Sequence, residues 1–191
     1  MMKRLAIFAS GNGSNAQAIA EYFSESSEAC VVLVLTNRKD AFVIERAKAL
    51  NIPVRVFNRE DFYQTEVITQ LLIDEQIDMV VLAGFLWLLP PSLIQAFPDR
   101  IINIHPALLP KYGGKGMYGD KVHTAVIEAG EKESGISIHY VNEHYDQGQV
   151  IFQARCEIEA HDTPDSLAAK IHKLEYAHFA AIIHQVLKTL S

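Results

Sequence analysis

Fully apolar runs and amphipathic stretches take turns along this chain. Leu5–Ala9 are predicted as a buried strand that breaks into a Gly/Ser/Asn turn. The run CVVLVL, Cys30–Leu35, is apolar at every position, and MVVLAG, ending at Gly84, repeats the pattern. A strand with no polar face has both faces covered, as in a parallel sheet between two helix layers. Shorter runs at Val54–Phe57 and Ile101–Ile104 add two more strands. Helical stretches are expected between them: Asn15–Phe23, with Ile19 and Phe23 on one side, Ala41–Leu50, a longer helix over Asp61–Glu75, and a short one opened by Pro91.

Strands alternating with helices predict βαβ units with right-handed crossovers. The fold class is therefore α/β, with a doubly wound, mostly parallel sheet. The second half changes character. A helix is expected within Gly119–Gly130, and GISIHYV and QVIFQARCEI, joined through EHYDQG, read as an antiparallel pair extending the sheet. A last helix spans Pro164–Leu187, with Leu167, Ile171, Leu174 and Ala181 at core spacing. No linker-like stretch divides the halves, so residues 1–191 are read as a single domain. Ligands of such sheets bind beyond the carboxyl ends of the strands. ASGNGSN, AGFLW and NIHPALLP each follow a strand, which should bring three loops to one edge.

Composition narrows the partners. The 191 residues are 49% apolar and 21% charged, ordinary values for a folded domain with a sizeable core. A net charge of −6 argues against a general nucleic-acid or membrane-surface binder, so an anionic substrate must be held by local groups. Cys30 and Cys156 lie in strand-like runs and read as buried free thiols. The apolar run after MMKR is too short for a signal-peptide core, and no segment approaches a membrane span, so a cytoplasmic protein is expected.

Two loops carry candidate chemistry. In SGNGSNAQAI, Gly11, Gly13 and Ala16 fit the loose pattern G-x-G-x-x-G/A between a strand and a helix. A dinucleotide site is one reading. The end of the second strand, however, offers Thr36, Asn37 and Arg38, with no carboxylate before Asp40 for a ribose; Arg38 leaves NADP open. A phosphate at the helix start is a second reading, and a tight turn capped by Ser14 or Asn15 a third. In NIHPALLPKY, Asn103 and His105 are alternate strand residues, so both side chains share one side, and Pro106 ends the ladder. An amide and an imidazole together suit a developing oxyanion. A charged imidazole needs a carboxylate, and Asp146 in HYDQG is the candidate, set against ordinary turn chemistry for that Asp.

Four motifs then carry a resemblance that spans nearly the whole chain. ASGNGSNAQAI, VVLAGFLWLL, NIHPALLPKY and YDQGQVIFQ resemble the phosphate loop, folate segment, signature and acidic loop of the folate-dependent phosphoribosylglycinamide formyltransferase family. The resemblance implies a Rossmann-like sheet without a bound dinucleotide. It implies formyl transfer from 10-formyltetrahydrofolate, a co-substrate, to the amine of glycinamide ribonucleotide in purine synthesis. Asn103 and His105 would stabilise the tetrahedral oxyanion, with Asp146 keeping His105 charged and moving the amine proton. Gly11, Asn12, Gly13, Ser14 and Asn15 would cradle the substrate phosphate, with His172 and Glu175 at its ribose. Phe85, Leu86, Trp87, Leu88 and Leu89, with His144 and Tyr145, would hold the pterin. The N-terminal half would then bind phosphate and the C-terminal half carry the folate and catalytic loop, in a monomer or homodimer acting on small molecules alone.

Two departures stand out. GGKGMYGDKVHTA replaces the family's usual short Pro-Gly turn, and its Lys115 and Lys121, with Lys111, are candidates for a polyglutamate tail or a solvated loop. Trp87 stands where the resemblance leads one to expect a less bulky or basic residue. His172, Glu175 and His178 are spaced by three, but no second metal motif accompanies them, so no metal is expected. His139 reads either as support for Asp146 or as a satisfied core histidine. The rival functions are formyl transfer to a sugar or other amine, and a non-catalytic NADP-binding module.

Overall fold

A computed structural model of the chain describes residues 2–190. Its strands are β1 (Lys3–Phe8), β2 (Ala29–Thr36), β3 (Val54–Val56), β4 (Met79–Leu82), β5 (Ile101–His105), β6 (Glu133–Tyr140) and β7 (Val150–Glu157). Its helices are α1 (Ser14–Phe23), α2 (Val43–Ala49), α3 (Arg59–Tyr63), α4 (Val67–Asp74), α5 (Pro91–Ala96), α6 (Asp120–Glu128) and α7 (Pro164–Leu187). The strands make one seven-stranded sheet in the order β3-β2-β1-β4-β5-β6-β7. The first five strands pair in parallel, β6 runs antiparallel to β5, and β7 antiparallel to β6. The doubly wound sheet and its antiparallel extension are as the patterning predicts.

Alternation along β1 separates two cores. Leu5 and Ile7 face a cluster with Ile19 and Phe23 of α1, Val43 of α2 and Val122 of α6. Ala6 and Phe8 face the opposite cluster, with Phe62, Leu72 and Leu93. Every β1 residue from Leu5 on is fully buried. Burying a side chain the size of Leu or Phe contributes about 1.5–3 kcal/mol, so the apolar strands are what hold the helix layers on.

The chain leaves β1 toward β2 on one side and later fills the other side with β4. That reversal of strand order opens a crevice at the carboxyl ends of β1 and β4. The loops after Phe8, Leu82 and His105 therefore meet there.

Three details differ from the sequence reading. The expected helix over Asp61–Glu75 is two helices, α3 and α4, separated at Glu66, which takes φ 55°. Phe62 and Ile68 both enter the same core. Six residues apart on an unbroken helix they would point about 120° apart, and the break turns both inward. In α7 the buried stripe runs Leu167, Ile171, Glu175, Phe179, Ile183, while Leu174 and Ala181 are only half-buried. The core spacing thus passes through a carboxylate. Cys30 and Cys156 are free but half-buried: Cys30 sits at the start of β2, outside the stretch that pairs with β3, and Cys156 is on the edge strand β7. Among the described residues, no helix is long and apolar enough to cross a membrane.

Candidate active site

A cavity of about 390 Å³ opens at the crevice, lined by residues of all three predicted loops and of α7. Its volume lies in the range of small-molecule sites. The first loop is held rigidly. Gly13 takes φ 76°, and a Cβ there would sit 2.4 Å from Val43 Cγ2, so only glycine fits between the loop and α2. Arg46 of α2 donates to the Asn12 carbonyl at 2.9 Å and to Asn12 Oδ1 at 2.7 Å. The start of α1 has no side-chain cap and no acidic residue in its first turn. Its free N–H groups and dipole make an anion-attracting end. Ser10 joins this loop to the next: its Oγ accepts from the Leu86 N–H at 3.0 Å.

Asn103, His105 and Asp146 meet at one wall. Asp146 Oδ1 lies 3.4 Å from Asn103 Nδ2 and 3.5 Å from His105 Nδ1. Side-chain exposure is 4% for His105 and 11% for Asp146, so the pair is shielded from water. The His105 Nε2–H donates to the Tyr112 carbonyl at 2.7 Å, which leaves Nδ1 facing the carboxylate. The Gly114 N–H donates to Asp146 Oδ2 at 2.9 Å. Gly113 eases that approach, since a Cβ there would lie 2.6 Å from Leu109 Cδ2 and 3.1 Å from Asp146 Cβ. Asp146 itself takes φ 54°, a left-handed conformation that Asp tolerates better than most residues.

His139 completes this wall as support. Its Nδ1–H donates to the Tyr140 carbonyl at 2.7 Å, and Nε2 accepts from Asn103 Nδ2 at 3.0 Å. It also lies 3.6 Å from Asp146 Oδ1. Burial pushes the Asp146 carboxyl up, but His139, His105 and the Gly114 N–H outweigh it and hold it below the usual range. Burial pulls His105 below its usual value, and the opposing pull of Asp146 does not compensate. Of these two opposing influences burial is the larger, so the imidazole favours its neutral form more than an exposed histidine does, while Asp146 pulls toward the charged form.

The far end of the cavity is built around Glu175, only 6% exposed. Its Oε2 accepts from Asn15 Nδ2 and pairs with His172 Nδ1, each at 2.9 Å. The hydrogen bond to Glu175 raises the His172 pKa against its partial burial. His178, the third of the histidine–acid spacing, instead packs its ring on Phe152 at 4.9 Å. The trio does not converge, and no group of three or more metal-ligating side chains occurs among the described residues.

The folate run divides. Phe85 and Leu86 line the cavity, whereas Trp87, Leu88 and Leu89 do not. Leu89 is core at 3% exposure, and Trp87 packs against Phe57, Phe62 and Tyr63 with Arg59 over its ring at 5.0 Å. The run turns through Gly84 at φ 77°, after which Trp87 and Leu89 join the core cluster of Phe8 and Phe62. Tyr145 lines the cavity, while His144 is exposed, its N–H on Asn142 Oδ1, and faces elsewhere. Gly114, Gly116, Met117 and Tyr118 of the Gly-rich loop form a wall. The loop's lysines do not: Lys111 pairs with Glu131 at 2.8 Å and Lys121 lies over Tyr118. Arg38 reaches the cavity, but Asp40 holds it bidentately at 3.2 and 2.9 Å.

The residue that sequence reading passed over is His123 on α6. It is 3% exposed, lines the cavity, and its enclosed Nδ1 has no partner. The one available signal was a histidine beside the Val122 and Val126 stripe of an amphipathic helix.

Known proteins match this architecture. Residues 3–183 match the formyl transferase family. The chain is 45% identical over 196 residues to the chloroplastic phosphoribosylglycinamide formyltransferase of Arabidopsis thaliana, covering 97% of this chain and 67% of that protein. It is 38% identical over 191 residues to phosphoribosylglycinamide formyltransferase of Bacillus subtilis, covering 97% and 95% respectively. The crystal structure of phosphoribosylglycinamide formyltransferase from Streptococcus pneumoniae TIGR4 shares 39% identity at a TM-score of 0.86, over 97% of this chain and 99% of that one. With its doubly wound sheet, three-loop cavity and end-to-end match, the chain belongs to the formyl transferase family, alongside the members named phosphoribosylglycinamide formyltransferase.

Proposed function

We propose that this enzyme transfers a formyl group from 10-formyltetrahydrofolate to the amine of glycinamide ribonucleotide, as one domain spanning residues 1–191. The observation that carries the reading is the meeting of Asn103, His105 and Asp146 within 3.5 Å on a cavity that an uncapped helix start also lines. The substrate phosphate sits on the N–H groups of Ser14 and Asn15 at the start of α1. Phe85, Leu86 and Tyr145 offer the apolar surface for the pterin.

The amine attacks the formyl carbon, and negative charge develops on the formyl oxygen. The Asn103 amide N–H donates to that oxygen. Its 3.4 Å contact to Asp146 is long and readily exchanged. Asp146, held ionised, accepts the proton that leaves the amine. His105 Nδ1, 3.5 Å away, is a second seat for that proton, from which it neutralises the oxyanion. Collapse restores the carbonyl and breaks the bond to the folate nitrogen, which takes the proton back. An imidazole of lowered proton affinity suits this role, because it releases the proton readily on collapse.

The test is direct. Mixing the protein with glycinamide ribonucleotide and 10-formyltetrahydrofolate should change the folate absorbance with turnover. Absence of turnover, or NADPH binding in this cavity, would replace the reading with the non-catalytic one. The bidentate Arg38–Asp40 pair already weighs against a 2′-phosphate there.

A further inference from the structure

His123 lines the same cavity as both clusters and takes part in the hydrogen bonds of neither. The charges of His172, Glu175, Asp120 and His105 all reach it. Its Nδ1 is enclosed without a partner, and Nε2 makes no hydrogen bond among the described residues. An enclosed N–H with no acceptor is rarer in folded proteins than an enclosed lone pair. The favoured tautomer is therefore Nε2–H, which puts the ring's free donor on the side that opens to the cavity. Burial lowers its proton affinity and the neighbouring His172 lowers it further, against the opposing pull of Glu175 and Asp120, so the ring favours the neutral, donating form more than an exposed histidine does.

We propose that His123 is a substrate-contact residue for the formyl acceptor, donating its Nε2–H to an uncharged oxygen between the acceptor's amine and its phosphate. Position and charge both point to that stretch. The phosphate has its own site on the α1 N-terminus, and an anion beside His123 would face the Glu175 carboxylate. A hydroxyl or amide oxygen carries no such penalty and satisfies a donor that the protein leaves unmatched. The inference deepens the formyl-transfer reading and rests on it.

Calorimetry on the whole protein tests it with three probes: glycinamide ribonucleotide, inorganic phosphate and a folate analogue. His123→Phe keeps the ring's bulk and removes the donor. It should weaken glycinamide ribonucleotide binding about five- to tenfold, the effect of one hydrogen bond between uncharged groups. Binding of inorganic phosphate and of the folate analogue should not change, and His123→Asn should recover part of the loss. Unchanged affinity for glycinamide ribonucleotide in a folded His123→Phe protein overturns the proposal. So does a parallel loss of phosphate binding, which would make His123 a phosphate ligand. Should His123→Phe not fold, the imidazole nitrogen resonances of wild-type His123 decide: they move on saturation with glycinamide ribonucleotide, or the contact does not exist. A wild-type protein that ignores glycinamide ribonucleotide sinks the formyl-transfer reading itself; one that binds it while the variant is unaffected sinks only the role of His123.

Discussion

The two ends of the cavity share one sheet edge but differ in how their polar groups are matched. At the transfer end, the groups hold one another. His139 is fixed between the Tyr140 carbonyl and Asn103, His105 between the Tyr112 carbonyl and Asp146, and Asp146 also by Gly114. At the acceptor end, Glu175 satisfies Asn15 Nδ2 and His172, yet Asn15 Oδ1 is enclosed without a partner and His123 Nε2 makes no hydrogen bond among the described residues. An unmatched buried polar group costs about 1–3 kcal/mol. A substrate that completes the matching recovers part of that on binding. Under the proposed function, the transfer end is arranged before substrate arrives, and the acceptor end is arranged to be finished by it.

Breaking the transfer end should have the largest effect. Asp146→Asn keeps the shape but removes the proton acceptor, and kcat should fall about 10²–10⁴-fold. Steady-state formylation assays check this, with circular dichroism showing an intact fold. Asn103→Ala removes one oxyanion donor and should lower kcat about 10²–10³-fold with little change in either KM. A near-wild-type rate would remove Asn103 from the mechanism.

The acceptor end should respond in KM instead. Glu175→Gln weakens the charged contacts to Asn15 and His172, and the acceptor KM should rise about tenfold while the donor KM holds. The His172 resonance should then titrate at lower pH, because the contact that raises its pKa is gone.

Acid stability sharpens the contrast between buried and exposed histidines. The pKa values of His105 and His123 are depressed in the fold, so the unfolded chain binds these protons more readily. Stability should therefore fall as pH drops below the unfolded value of about 6.5. His172, with its raised pKa, acts in the opposite sense and loses its contribution as pH rises through its folded value. Urea melts across this range should show a shallower acid loss for His123→Asn than for wild type. The smallest functional effect is expected outside the cavity: Trp87→Ala should lower the melting temperature but leave the donor KM within about twofold, whereas Phe85→Ala should raise it by more. Equal effects on the donor KM would put Trp87 back in the folate site.

Much of this was legible beforehand where the signal was local. The apolar runs marked β1, β2 and β4 and implied two covering layers. The Asn103–His105 alternation put two side chains on one side of the chain. The α3–α4 break was not legible, because the reversal at Glu66 is demanded by where Phe62 and Ile68 must pack, not by a Gly or Pro in the sequence. The division of the folate run was hidden for a similar reason. FLWLL is uniformly apolar, and apolarity does not say whether a side chain lines a cavity or a core.

By itself, then, the sequence determined the order of strands and helices, the edge on which the loops gather, and the chemical types present at each loop. These depend on periodicity and on residues close together in the chain. Tertiary structure alone decided which of the eight histidines line the cavity and in which direction their surroundings move their proton affinity. Asp146 reaches His105 only because β6 pairs with β5 and the Gly113–Gly114 backbone leaves room for the carboxylate. Desolvation and contacts across long sequence separations set proton affinity, and neither exists until the chain has folded.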